Sequence, residues 1–317
     1  MSGRATRAAG AAMAITIGVT LSGCGDSDAI TPATKRTITL GFVNGGNTEF
    51  HTCLQRSVEG EATKRGVKVV SANSKQDPQT ELSNIDSLIG QGVTALIVQT
   101  VNTDALKADI ARARAAKIPI FLTSVAPADT SAILGAVAVN LNEVGLLDAS
   151  WMSNDAVGAP ATTGIIAGAP GAASDLLVKG FTDNLPKNIR VVAGAPGMFN
   201  RAKAKAVAAK MIKEHPTMTY AFVANEDMAA GAAEAFTAAH KDVKIATVNG
   251  TDAGLAAIKA GQIDATVANP ASKLGQKAVE NTLSLLNKEP ITKIDYVPIE
   301  LITKTELAQA PEYCLNE

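Results

Sequence analysis

Histidine, cysteine and aromatic side chains are all scarce in this chain. Its histidines are His51, His215 and His240, which lie far apart and lack a metal-ligand spacing; no metal or other cofactor is implied. No Walker A sequence occurs, and no GxGxxG opens a helix after the first strand; GAPGAAS at 168–174 is only a glycine-rich strand-to-helix turn. Cys53 has no fitted histidine partner that would make it a nucleophile. These absences argue against an enzyme. A large charge of one sign is missing too: the net charge is −1, and about −3 once a segment with Arg4 and Arg7 is lost, too little field to hold nucleic acid. With aromatics at 3%, any ring placed near a strand end carries weight.

What is present begins with the N-terminus. Arg4 and Arg7 precede an alanine-rich apolar run from Ala8 to Leu21, too short to span a bilayer comfortably and therefore read as a secretory signal, residues 1–23. Leu21, Ser22, Gly23 and Cys24 resemble the lipobox of bacterial lipoproteins, which implies a diacylglyceryl anchor on Cys24 and stable membrane attachment. Residues 24–36 are polar, contain Pro32 and read as a tether. With Cys24 taken, Cys53 and Cys314 remain in an oxidising exported compartment. They are expected either to bridge, tying the C-terminal tail to the first helix, or to stay as two buried thiols.

At 317 residues and 46% hydrophobic content the chain can bury the cores of about two domains. Short β-branched runs alternate with helical periodicity throughout. The strands are predicted at 38–43, 67–71, 93–98, 118–122, 132–139, 164–167, 189–193, 220–223 and 245–248, with a last one from Tyr296 to Ile302. Helices of 10 to 15 residues between them, one from Asp104 to Ala116 and one over Asn200–Glu214, mean parallel sheets covered on both faces. Within 246–269, Thr251 or Asp252 can cap a helix that Gly261 closes. Asn249 and Asn269 then end parallel strands at one sheet edge, where a ligand crevice forms; equally, Asn249 and Gly250 can serve only as turn residues.

Three stretches in this order, GVTALIVQTVNTDAL at 92–106, AFVANEDMAAGAAEAF at 221–236 and TVNGTDAGLAAIKAGQIDATVAN at 247–269, make the chain similar to the ribose- and galactose-type (type I) periplasmic solute-binding proteins of ABC importers. The likeness covers about 37–304. It implies an α/β fold of two doubly wound parallel-sheet lobes joined by a three-strand hinge, one lobe being 37–139 with 270–299 and the other 140–269 with 300–317. It also implies a monomer, held to the outer face of the cytoplasmic membrane by its lipid, that hands a sugar or polyol to a permease driven by a separate ATPase. A chemoreceptor or sensor kinase as the partner, or a nucleoside as the ligand, are the alternatives.

Carried over residue by residue, the resemblance places Thr48, Phe50 and His51 in the loop after the first strand, with Phe50 as a stacking ring. Gln99 and Ser124 follow at later strand ends, then Asp175, Phe199, Asn225, Asn249 and Asn269. Four of these have a plainer alternative: Phe199 as core, His51 as a solvated helix start, Asp175 as a first-turn carboxylate favoured by the helix dipole, Asn225 as a cap. Trp151 is expected to be packing. The chain departs from the pyranose-binding pattern: Ser124 and Val125 stand where an Asp-Arg pair is common, Asp175 replaces Arg, and Asn249 replaces Asp. Bidentate charged recognition of ring hydroxyls is reduced, and neutral amides and hydroxyls, which both donate and accept, point to a polyol or a less usual sugar. Repressors of the same fold carry a DNA-binding headpiece where this chain has signal and tether.

Overall fold

The computed structural model describes residues 38–101, 103 and 105–314. The signal, the tether, Cys24 and the predicted helix start Asp104 lie outside the described residues. In chain order the elements are β1 (Thr39–Asn44), α1 (Glu49–Lys64), β2 (Lys68–Asn73), α2 (Pro78–Gly90), β3 (Ala95–Val98), α3 (Leu106–Ala115), β4 (Ile120–Ser124) and β5 (Gly135–Ala138). Then come α4 (Leu141–Ala156), β6 (Ala161–Ala167), α5 (Ala172–Asp183), β7 (Ile189–Pro196), α6 (Arg201–Glu214), β8 (Tyr220–Val223) and α7 (Glu226–Ala238). The chain ends with β9 (Lys244–Asn249), α8 (Asp252–Lys259), β10 (Ala265–Ala268), α9 (Ala271–Leu286), β11 (Ile294–Tyr296) and β12 (Glu300–Thr303).

The strands form two sheets, ordered β11-β5-β4-β3-β1-β2 and β12-β10-β9-β8-β6-β7. Every pairing is parallel except that of β12 with β10. Strands covered by helices on both faces must be apolar along their whole length, and ALIV of β3, YAFV of β8 and ATVA of β10 are buried at every position. On the first sheet α1 packs with α9 and α2 with α3; on the second α4 packs with α5 and α6 with α7. Beside the second sheet, the buried rings of Phe181 of α5 and Phe222 of β8 stack at 4.5 Å. Trp151 packs edge-on against Tyr220.

Helices start where short polar side chains occupy the first free amides. Asp77 accepts from Thr80 ahead of α2, Asn140 from Glu143, Asn200 from Lys203, Asn225 from Met228 and Thr251 from Gly254. Gly261 follows α8 with φ of +72°.

The chain passes between sheets after β5, after β10 and between β11 and β12. The last passage corrects the single strand predicted over Tyr296–Ile302: β11 joins the first sheet, β12 the second, and Pro298 between them has no N–H to offer a ladder. Phe50 and His51 are also corrected, since they lie in the first turn of α1 rather than in the preceding loop. The tail, predicted with the second lobe, returns to the first: Ser272 of α9 donates through N to Tyr313 O and through Oγ to Glu312 O. A disulfide joins Cys314 to Cys53 of α1, with the Cα atoms 4.9 Å apart.

Candidate binding cleft

The segments after β1 and β2 of the first sheet and after β7, β8 and β9 of the second face one cleft with a volume of about 460 Å³. From the first sheet it is lined by the turn before α1, Asn47 to Glu49, and by Lys75 and Gln76 after β2; from the second by Phe199, Arg201, Asn225, Glu226, Asn249 and Thr251. Thr48, Phe199, Asn225 and Asn249 are thus brought together.

Thr48 precedes α1, yet its hydroxyl makes no bond to the helix amides; it lies 2.7 Å from His51 Nδ1. The His51 ring packs on Gly46, where a Cβ would stand 2.8 Å from Cε1. Burial lowers its pKa to about 4, against an opposing hydrogen bond with Gln99, so the imidazole is neutral at ordinary pH. Phe50 is half-buried against the core and meets His51 edge-on at 5.5 Å. Gln99 supports the same wall: its Oε1 accepts from Gly45 N at 3.0 Å and its Nε2 donates to Thr100 O at 3.2 Å.

Across the cleft, Phe199 is held with φ of +49° and its ring covers Gly168. Asn225 uses Oδ1 to accept from Met228 N at 2.9 Å, which leaves its amide group as donor. Asn249 ends β9 with φ of +135°, and its carbonyl accepts from Asn269 N at 2.7 Å. Ser124, at φ of +71°, and Asn269 stand at other strand ends. Neither is in the wall of the cleft; Ser124 Oγ and Asn269 Oδ1 are buried with no hydrogen-bond partner among the described residues, a costly state. Asp175 is exposed in the first turn of α5, away from the cleft, where the plainer role of first-turn carboxylate applies.

A family model described as a periplasmic binding protein domain matches residues 40–290. The chain belongs to that family. Among its relatives, a ribose import binding protein of Bacillus subtilis is 29% identical over 272 residues, spanning 85% of this chain and 88% of that protein. A xylitol-binding protein of Mycolicibacterium smegmatis is 27% identical over 318 residues, 97% of this chain and 88% of the relative. A solved Mycobacterium smegmatis structure, in complex with β-D-fucofuranose, is 26% identical with a TM-score of 0.81, covering 86% of this chain and 93% of that one.

Periplasmic binding proteins are binding modules rather than enzymes, and the charged groups of this cleft are consistent with that. Arg201 is committed to Glu234, Nη2 to Oε1 at 2.5 Å. Glu49 faces Thr251 and the Asp252 N–H of the opposite wall, with burial and then Asp252 raising its pKa. Glu226 accepts three hydrogen bonds, and burial raises it to about 7 against them.

Sequence reasoning missed Glu49, Lys75, Gln76, Arg201 and Glu226 as cleft residues. Lys75 and Gln76 reach it only because both adopt positive φ, 52° and 62°, which nothing in their residue types announces. Glu226 carried the one available signal, its place after Asn225 at a strand end.

Proposed function

We propose that the protein is the exported solute-binding component of an ABC importer, and that it captures a small sugar or polyol between its lobes. The observation that carries this reading is the make-up of the cleft. Thr48, Asn225 and Asn249 are neutral and hydrogen-bonding, Phe199 supplies a ring for an apolar sugar face, and the one guanidinium is already paired. Such a set satisfies hydroxyls as donors and acceptors, with Lys75 and Glu49 as charged groups at its edge. The relatives named for ribose and xylitol support the same class.

The lobes 37–139 with 270–299 and 140–269 with 300–311 close about the three passages between the sheets, and ligand favours the closed form because only there does it touch both walls. Cys24 carries the lipid that keeps the protein at the outer face of the cytoplasmic membrane, where it delivers its load to a permease and ATPase.

Thermal-shift measurements on purified protein test this. Sugars and polyols such as xylitol, ribose and arabinose should raise the melting temperature, since a ligand at a hundredfold excess over Kd adds about 2.7 kcal/mol. Asn249→Ala should abolish the shift. A response confined to amino acids or cations would overturn the assignment.

A further inference from the structure

Glu226 opens α7 but does not serve that helix. A carboxylate in a first turn ordinarily answers its own helix amides; here Asn225 takes Met228 N. Glu226, 4% exposed, turns to the next βαβ unit instead. Its Oε1 accepts from Gly250 N at 2.8 Å and from the Thr266 hydroxyl at 2.7 Å, and its Oε2 accepts from Thr251 N at 2.8 Å. One side chain thus ties α7, the β9–α8 turn and β10 together. At Gly254 of α8 a Cβ would stand 2.1 Å from Glu226 Cδ, so the helix is packed directly onto the carboxylate.

The tied turn is unusual. Asn249 and Gly250 have successive positive φ values, 135° and 77°, a conformation that persists only where the surroundings over-determine it. It is also the turn that presents Asn249 and Thr251 to the cleft, with the Thr251 hydroxyl further committed to Gly254 N at 2.9 Å. We propose that Glu226 is a positioning residue: it holds the 249–251 turn in its binding conformation through Gly250 N, Thr251 N and the Thr266 hydroxyl, without itself being the group that recognises the solute. A glutamine in its place keeps the size but sets an NH2 against an N–H or O–H donor, so at least one of the three bonds fails.

The affinity arm of the test rests on the solute-binding reading, and the exchange arm does not. In ligand-free protein, amide hydrogen exchange at Gly250, Thr251 and Gly254 should accelerate at least tenfold in Glu226→Gln, and less in Thr266→Val, with Met228 and the β8 amides unchanged. Thr266→Val retains Glu226 and answers the question if the glutamine variant does not fold. The solute that most stabilises the wild type should bind Glu226→Gln at least tenfold more weakly at a melting temperature within about 3 °C. Wild-type exchange in the turn in Thr266→Val and in any folded Glu226→Gln, or acceleration spread evenly over the second sheet, overturns the proposal. An absence of any stabilising solute would count against the sugar assignment and leave the exchange result standing.

Discussion

Thr48 Oγ1 lies 2.7 Å from His51 Nδ1, so the hydroxyl of the residue that precedes α1 serves an imidazole rather than the helix amides. That imidazole is half-buried, and burial lowers its pKa from 6.5 to about 4. A histidine with a depressed pKa binds fewer protons folded than unfolded. Its contribution is fully present above pH 6.5 and is lost as the pH falls from there to about 4. With about 1.4 kcal/mol per pKa unit, acidification to pH 4 should cost on the order of 3 kcal/mol through this residue. Urea unfolding of wild type and His51→Gln between pH 7.5 and 4 reads it as the difference between the two curves. Parallel curves would show that His51 is not the buried neutral group described.

The Cys53–Cys314 bridge spans 261 residues of sequence and anchors a tail whose Tyr313 is buried in the core and which accepts two hydrogen bonds from Ser272. Breaking it frees a very long loop in the unfolded chain, and replacing both cysteines by serine should cost about 2–5 kcal/mol. Denaturation with and without reductant should reproduce that loss in the wild type and show none in the double variant. Thiol titration of denatured, unreduced protein should find neither cysteine free.

The alternation of strands and helices was legible because parallel strands buried on both faces are continuous apolar runs, as ALIV of β3 and YAFV of β8 are. Caps such as Asn225 and Thr251 were legible because their chemistry is local. What failed depends on distant pairing or on loop geometry. Tyr296 and Ile302 read as one strand, yet they belong to different sheets. Lys75 and Gln76 reach the cleft through left-handed backbone, and Glu226 acquires its partners only once β9 and β10 pair. Thr48, Phe199, Asn225 and Asn249 were readable as cleft residues because the fold itself carries strand C-termini to one edge. Asp175 was not excluded, because a first-turn carboxylate looks the same whether it faces a ligand or water.

Asp148 of α4 is fully buried, with both carboxylate oxygens lacking a hydrogen-bond partner among the described residues, and burial raises its pKa well above the ordinary value. A raised carboxyl pKa means the folded state holds the proton more tightly, so stability is greatest below the unfolded pKa near 4 and falls as the pH rises. Asp148→Asn removes this linkage while retaining the shape. Relative to wild type, the variant should gain more than about 1 kcal/mol between pH 5 and pH 8, the scale of relief from an unpaired buried charge. Guanidinium unfolding at the two pH values measures it, and an equal difference at both would place the Asp148 carboxyl in contact with a partner.

Gly168 and Phe199 make the last prediction, because there a single added methyl group bears on both stability and binding. A Cβ on Gly168 would stand 2.1 Å from Phe199 Cζ and 2.5 Å from Cε1, so the ring must leave its place. Its backbone cannot absorb the shift easily, since Met198 and Phe199 both sit at positive φ, 61° and 49°. Gly168→Ala should therefore strip the cleft of its aromatic wall and weaken solute binding about tenfold, the scale of a lost ring contact, at a stability cost of about 1–3 kcal/mol for the forced repacking. Phe199→Ala should weaken binding at least as much. Gly194→Ala is the control, since nothing lies within 4 Å of the added carbon, and it should titrate as wild type. Calorimetric titration of the four proteins decides the matter: if Gly168→Ala binds as tightly as the control, Phe199 is not a wall of the occupied cleft.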